Sequence, residues 1–239
     1  MIKKILIYIT FSFTGLIANA TINHLTSEHG LSLNGNVLGN GADVVICEDQ
    51  SSVTLLDVYE GQNHYNIFSR PIDGPWIFEL GDESIGFEEK VYFALNKIKK
   101  IDTKRFQRYI QWAKDLISSS TFINDGREVS IIDLVDISDS GNLFLSQDCK
   151  VKQIAVYNSD YVYSIDKRYW QKLDENNKAA LILHGIIYRD FKSHPEMRHQ
   201  NSIAARYYNS LLITDRINFY TQDDRRYHQL LKGMNYFLK

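Results

Sequence analysis

The segment from Asp174 to Lys192 has the pattern of a buried α-helix. One face combines His184 and Tyr188 with apolar residues at helical spacing, namely Ala180, Leu183, Ile187 and Phe191. The opposite face is also apolar, through Leu181, Ile182 and Ile186. A helix that is apolar on nearly all sides must be covered by other elements, and an aspartate suits its N-cap. We therefore predict a central buried helix over residues 174–192.

Further helices are predicted on both sides of this segment. Before it, apolar residues from Phe87 to Ile101 repeat at helical spacing with Ser84 as a cap, and a second helix begins at Asp102 or Thr103. After it, Asn201 or Ser202 caps a helix that runs to about Ile213. A last helix follows Thr221–Asp224, and its apolar stripe packs on the body or, as the alternative, lies on a membrane.

Strand patterns occupy two separate regions. Val44–Cys47 and Val53–Tyr59 are rich in β-favouring residues and are separated by a polar turn, which predicts a hairpin. In the second region, Ser130–Leu134, Val151–Tyr157 and Tyr161–Ile165 have strand character. Asp166 then caps a short helix that presents Trp170 and Leu173. The pattern predicts an α+β fold in which a small antiparallel sheet packs on the central helix, with several further helices.

The N-terminal residues have the pattern of a secretory signal, which predicts export. Lys3 and Lys4 precede an apolar run from Ile5 to Ile17, and Ala18-Asn19-Ala20 is a small-x-small cleavage site. This apolar run is too short to span a bilayer, which takes about 20 residues. We predict a signal peptide over residues 1–20 and a single domain over 21–239; the alternative is an uncleaved membrane anchor. The mature protein would be periplasmic or extracellular.

Charge argues against a nucleic-acid partner. The full chain has 27 basic and 29 acidic residues, and loss of Lys3 and Lys4 leaves 25 and 29, a net charge of −4. A nucleic-acid-binding domain would carry a basic excess or stripe. No segment after the signal is apolar for long enough to cross a membrane, so we expect the mature protein to be soluble. The sequence does not identify its partner; an envelope component or another protein is one candidate.

The mature chain has two cysteines, Cys47 and Cys149. In an exported protein an even count favours a disulfide bond, and only one pairing exists. Two separate buried thiols are the alternative. A metal site built from two cysteines this far apart, with no CxxC spacing, is not expected.

The chain resembles a family of uncharacterised exported bacterial proteins. The resemblance spans most of the mature chain and rests on Asn40–Cys47, Leu55–Glu60, Cys149 with Gln153–Ala155, and Ala179–His184 with Tyr188–Arg189. The family's helix usually reads His-Glu, followed two residues later by Tyr-Arg, and a Ser-x-x-x-Arg element opens its next helix. Ser202 and Arg206 match that element, whereas Gly185 replaces the glutamate. The resemblance implies export and no particular activity.

That glycine argues against zinc-peptidase chemistry. Such enzymes use His-Glu-x-x-His, in which two histidines one turn apart hold Zn²⁺ and the glutamate acts as general base. Here Gly185 stands in the position of the base and Tyr188 in that of the second histidine. His194 and His199 could add ligands from the next loop, but nothing in the sequence places them near His184. We expect no metal and no cofactor.

Two interpretations of His184 remain. In the first it is a core histidine with hydrogen-bonded ring nitrogens, Arg189 and Arg206 pair with acids such as Asp190 or Asp136, and Gly185 allows a close approach. In the second, His184, Tyr188, Arg189 and Arg206 line a small binding cleft. The leading functional hypothesis is a non-enzymatic binding or structural domain, and the alternative is a degenerate zincin-like hydrolase. The sequence assigns no catalytic residue and leaves enzymatic activity undecided.

Overall fold

Five short strands form one sheet beside the central helix. The computed structural model of the chain describes residues 41–47, 53–69, 77–126, 145, 148–157, 163–193 and 202–234. The strands are β1 (Ala42–Cys47), β2 (Val53–Leu55), β3 (Thr121–Ile123), β4 (Cys149–Tyr157) and β5 (Tyr163–Asp166). Their spatial order is β2-β1-β4-β5-β3. All neighbours are antiparallel except β3 and β5, which are parallel.

Eight helices accompany the sheet in the described ranges. They are α1 (Leu56–Asn63), α2 (Phe87–Asn96), α3 (Thr103–Ser119), α4 (Lys167–Trp170), α5 (Glu175–Ser193), α6 (Ile203–Leu212), α7 (Ile217–Thr221) and α8 (Asp224–Met234). The predicted α+β class, with a small and mostly antiparallel sheet, is confirmed. The helix α7 and the edge strand β3 were not predicted, and both are very short.

The predicted central helix is confirmed as α5. Asp174 caps it, because its Oδ1 accepts a hydrogen bond of 2.7 Å from the N–H of Asn177. Thirteen of its residues are buried, including Leu181, Leu183 and Ile186, whose side chains are inaccessible to solvent. The helix packs against α2, α3 and α6, which explains why both of its faces are apolar.

The hairpin prediction was wrong at its second strand. The strand β2 ends at Leu55, and residues that were predicted to continue it to Tyr59 form α1 instead. The helix places Asp57 toward α6, where the Asp57 carbonyl accepts a hydrogen bond of 2.6 Å from Ser210 Oγ. Gly61 allows this approach, because a Cβ there would lie 2.9 Å from Ser210 Oγ. Tertiary contacts therefore override the strand propensity of Val58 and Tyr59.

The capping predictions were partly right. Asp102 caps α3 by accepting a hydrogen bond of 2.9 Å from the N–H of Arg105. Ser84 does not cap α2, since its hydroxyl donates to Asp82 at 2.6 Å. The cap of α2 comes from another helix, because the Phe87 N–H donates to Glu175 Oε2 at 2.8 Å. A cap that is distant in sequence cannot be read from local spacing.

The C-terminal helix α8 packs on the body, as predicted. Its buried residues Tyr227, Leu230 and Met234 form the inward stripe. At its start, Asp223 Oδ1 accepts a hydrogen bond of 2.8 Å from the N–H of Arg225. None of the described helices is long and apolar enough to cross a membrane.

The predicted disulfide between Cys47 and Cys149 is confirmed. The two residues are direct partners in the antiparallel pairing of β1 with β4, and the bond joins positions 102 residues apart. Closing a loop of that length stabilises a fold by up to about 4 to 5 kcal/mol, if the whole gain is assigned to the lost entropy of the unfolded chain. The bond ties the first strand of the described sheet to its middle.

Some predictions lie outside the described residues. These are the signal peptide over residues 1–20, the strand Ser130–Leu134, the loop histidines His194 and His199, and the acid Asp136. The described residues belong to one compact unit, while the domain boundary at residue 21 stays a prediction.

Gly185 lies where two strands and α3 meet α5. A Cβ at this position would lie 2.8 Å from Leu116 Cδ1 and 2.9 Å from the hydroxyl oxygens of Tyr157 and Tyr163. The Tyr157 hydroxyl donates a hydrogen bond of 2.5 Å to the Gly185 carbonyl oxygen. The interpretation that this glycine permits a close approach is confirmed.

Gly185→Ala should therefore destabilise the protein by about 1 to 3 kcal/mol, since the added methyl group displaces tightly packed hydroxyls. Gly233 in α8 is the matched control, because a Cβ there meets no atom within 4 Å. Gly233→Ala should stabilise by up to about 1 kcal/mol through helix propensity. Urea unfolding measures both changes. A gain in stability from Gly185→Ala would contradict the packing described here.

Candidate functional site

Three helices meet at a buried pair formed by Asp57 and His184. The Nδ1 of His184 on α5 lies 2.8 Å from Asp57 Oδ2 and 3.1 Å from Oδ1 on α1. Both side chains are at most 1% exposed. From α6, Asn209 Nδ2 donates hydrogen bonds to Asp57 Oδ2 at 2.7 Å and to the Ala180 carbonyl at 2.9 Å. The carboxylate of Asp57 is thus shared by helices that are distant in sequence.

The Asp57 carboxylate controls the charge of His184. Burial alone disfavours the imidazolium and lowers the pKa of His184, but the charge of Asp57 and its hydrogen bond act the other way. The net result is a pKa of His184 above the ordinary value of 6.5. A raised folded-state pKa means that the pair stabilises the fold fully below pH 6.5, and that this contribution is lost as the pH rises through the folded-state pKa.

The prediction that both ring nitrogens of His184 are hydrogen-bonded was wrong for Nε2. Within the described ranges, His184 Nε2 is buried and has no hydrogen-bond partner. The ring also stacks on Tyr188, with centroids 6.0 Å apart and an interplanar angle of 15°. The core-histidine interpretation is therefore right for Nδ1 and wrong for Nε2.

A second buried ion pair joins Arg206 to Glu60. Arg206 Nε donates to Glu60 Oε2 at 2.7 Å and Nη2 donates to Oε1 at 3.2 Å. This is the two-point geometry by which a guanidinium fits a carboxylate. Arg206 Nη1 also donates to Ser202 Oγ, so the Ser-x-x-x-Arg element forms one internal contact. The expectation that Arg206 pairs with an acid is confirmed, and the acid is Glu60, not the expected example Asp190.

Asp190 forms a separate network between α5 and α3. Its carboxylate accepts hydrogen bonds from Arg105 Nε at 3.1 Å, Arg108 Nη2 at 2.6 Å and the Tyr109 hydroxyl at 2.8 Å. The neighbouring Arg189 places its guanidinium 4.2 Å from the ring centroid of Trp112. Asp190 is thus bound by residues of α3 that were not predicted as its partners.

The four predicted cleft residues do not share one open surface in the described structure. His184, Tyr188 and Arg206 are between 1% and 5% exposed, and Arg206 is close enough to His184 to lower the pKa of its ring. Arg189 lies apart from them, over Trp112 of α3. The arrangement is a buried polar cluster that includes three of the four residues.

Sequence reasoning missed the acidic members of this cluster, Asp57 and Glu60. They are three positions apart, which places them on the same side of a helix. That spacing was a usable signal, but Val53–Tyr59 was interpreted as a strand, in which residues three apart point to opposite faces. No local sequence pattern indicated that Asn209 and Ser210 would bind Asp57.

Basic residues at the junction of α2 and α3 are only partly solvated. The sequence places six basic residues there, which are Lys97, Lys99, Lys100, Lys104, Arg105 and Arg108. Of these, Lys99, Lys100 and Lys104 are exposed. Lys97 Nζ donates hydrogen bonds of 2.9 Å to the Leu212 and Thr214 carbonyls at the end of α6. Burial lowers the pKa of Lys97 to about 8, although Glu79 and Asp215 oppose the shift. The cluster therefore offers less free positive charge than its sequence indicates.

Metal-ligand geometry is absent from the part of the chain that the structure describes. No group of three or more His, Cys, Asp or Glu side chains there is arranged to hold a metal ion. His184 already uses Nδ1 for Asp57. His194 and His199 lie outside the described ranges, so this observation does not extend to them.

Comparisons of the chain with protein-family models, with curated proteins and with solved structures give no match. The resemblance to exported bacterial proteins therefore stays a prediction, and the function must be argued from geometry.

The Asp57–His184 pair can be tested by a double-mutant cycle. Removing one partner leaves the other charge buried and unpaired, which costs about 3 to 5 kcal/mol. We expect losses of this size for His184→Gln and for Asp57→Asn, and a loss in the double variant that is about 1 to 3 kcal/mol smaller than their sum. Unfolding in urea gives the four free energies.

His228→Gln is the control for this cycle. The side chain of His228 is 62% exposed and lies 3.4 Å from Asp224. We expect a change of less than about 0.5 kcal/mol, as for other surface substitutions. Additive losses at His184 and Asp57 would contradict the buried pair.

Proposed function

We propose that this protein is an exported, periplasmic or extracellular binding domain that acts without catalysis. The observation that carries the proposal is that the buried polar side chains of the candidate site pair with one another. His184 pairs with Asp57, and Arg206 pairs with Glu60, each in the interior. Groups that are buried and bound to one another hold the fold in one arrangement and have little capacity to act on a substrate.

Export is supported by the N-terminal pattern and by the disulfide. Disulfide bonds persist in oxidising compartments and are rare in the cytosol. The bond between Cys47 and Cys149 is compatible with such a compartment. The basic start, apolar run and small-x-small site of residues 1–20 add an independent sequence signal for secretion.

A second candidate function is hydrolysis, and one observation favours it. Asp57 orients His184 through Nδ1 and leaves Nε2 without a described partner. An aspartate that fixes the tautomer of a histidine general base is part of catalytic triads. Yet Nε2 is buried, so a substrate could reach it only after a rearrangement. The binding function therefore accounts better for the geometry.

Metal content separates the two candidates. The full chain would be expressed with its own N-terminus, and the exported product, expected to begin at Thr21 by mass spectrometry, would be analysed for zinc beside His184→Gln. We expect well under one zinc per chain in both proteins and no change in metal content on substitution. Phenylalkyl ester and casein hydrolysis should be at background in both.

Near-stoichiometric zinc that is lost in His184→Gln would overturn the binding proposal in favour of a metallohydrolase. Metal-independent hydrolysis that His184→Gln abolishes, while His228→Gln retains it, would overturn it as well. Recovery of the chain only from the cytosol, with residues 1–20 intact, would contradict export.

A further inference from the structure

We propose that a pocket formed by α6, α7 and α8 binds an amphipathic carboxylate, a small molecule with an aromatic or aliphatic body and one carboxylate group. The inference rests on the proposed binding function and gives it a site and a ligand class. The pocket is separate from the buried cluster of Asp57 and His184, and none of that cluster's residues lines it.

The walls of the pocket are largely aromatic. Its volume is about 530 Å³, and it is lined by Tyr207, Phe219, Tyr220, Leu230, Arg226 and Gln229. Sites for small molecules have volumes of about 300 to 1,000 Å³ and combine apolar walls with a few polar groups. This pocket has that size and composition, with three rings and a leucine as the apolar part.

The aromatic residues of the walls lie against one another. Phe219 meets Tyr220 edge to face with centroids 5.3 Å apart, and Tyr207 lies close enough to Tyr220 for the Tyr220 phenol to affect its ionisation. Burial and the contact with Tyr220 raise the pKa of Tyr207 to about 12, so this wall stays neutral at physiological pH. Side chains that already contact one another lose less freedom when a ligand binds.

The charge of the pocket selects an anion. Arg226 is the only ionised side chain among the lining residues, and within the described residues no acid pairs with its guanidinium. The guanidinium lies 4.6 Å from the ring centroid of Phe219, which holds it at the rim. Arginine binds carboxylates through two parallel N–H donors, and Gln229 adds an amide beside it.

The apolar part of the ligand would pack on the exposed ring of Phe219. Phe219 is 56% exposed, more than any other large apolar residue in the described ranges. Gly233 completes the lining, and the space above it is open, because a Cβ there would meet no atom within 4 Å. A ring or alkyl chain placed here would cover Phe219 while its carboxylate reaches Arg226.

The test uses N-acetyl-L-tryptophan, which carries a carboxylate, and N-acetyl-L-tryptophan amide, which differs only in lacking that charge. Amide chemical shifts of the ¹⁵N-labelled exported protein would be followed up to about 10 mM of each probe. We expect shifts clustered on α7 and α8, and a dissociation constant at least about tenfold lower for the acid than for the amide.

Three variants separate the contribution of the Arg226 charge from that of the pocket volume. Arg226→Gln should weaken binding of the acid about tenfold and leave the amide unchanged. Gly233→Leu should fill the pocket and remove binding of both probes, with a urea midpoint at or above that of the parent. Arg225→Gln is the matched control, because Arg225 is exposed on the same helix and does not line the pocket.

No shift with either probe would overturn the proposal, as would equal affinity for the acid and the amide. The same loss in Arg225→Gln and Arg226→Gln would reduce the effect to general charge and would also overturn it. These outcomes are independent of the zinc analysis, which tests the absence of catalysis and involves His184. A failed pocket and a failed binding function are therefore distinguishable.

Discussion

The ion pair between Asp57 and His184 is the interaction on which the arrangement of helices depends. It joins residues 127 positions apart, and Asn209 adds a third helix to the same carboxylate. Two charges removed from water are stabilised when they meet each other with good geometry and further hydrogen bonds. Asn209 supplies such a bond to Asp57, whereas His184 Nε2 has no partner in the described ranges. These contacts therefore constrain the relative positions of α1, α5 and α6.

Other long-range ties complete this arrangement, and each acts on a different part of the fold. The pair of Arg206 with Glu60 repeats the connection between α6 and α1, whereas Asp190 connects α5 to α3 through Arg105 and Arg108. The disulfide acts on the sheet, between β1 and β4. Apolar packing buries thirteen residues of α5, and the polar pairs connect this helix to α1 and α3.

Local patterns predicted the elements that local forces determine. The helix α5 was found from its two apolar faces and from Asp174, and α3 from its spacing and from Asp102. The helix α1 was not found, because its residues favour a strand and become helical through contacts with α6. For the same reason the site was only half predicted: His184 and Arg206 were recognised, but Asp57 and Glu60 lie 127 and 146 positions away.

The protonation state of His184 tests this account most directly. Long-range ¹H–¹⁵N correlation spectra of protein labelled at histidine would report both ring nitrogens as a function of pH, with exposed His228 as an internal reference. We expect His184 to carry protons on both nitrogens at pH 6.5 and to titrate at a higher pH than His228, because Asp57 stabilises its positive charge. A neutral His184 ring at pH 6.5 would contradict the buried ion pair and the role we assign to it.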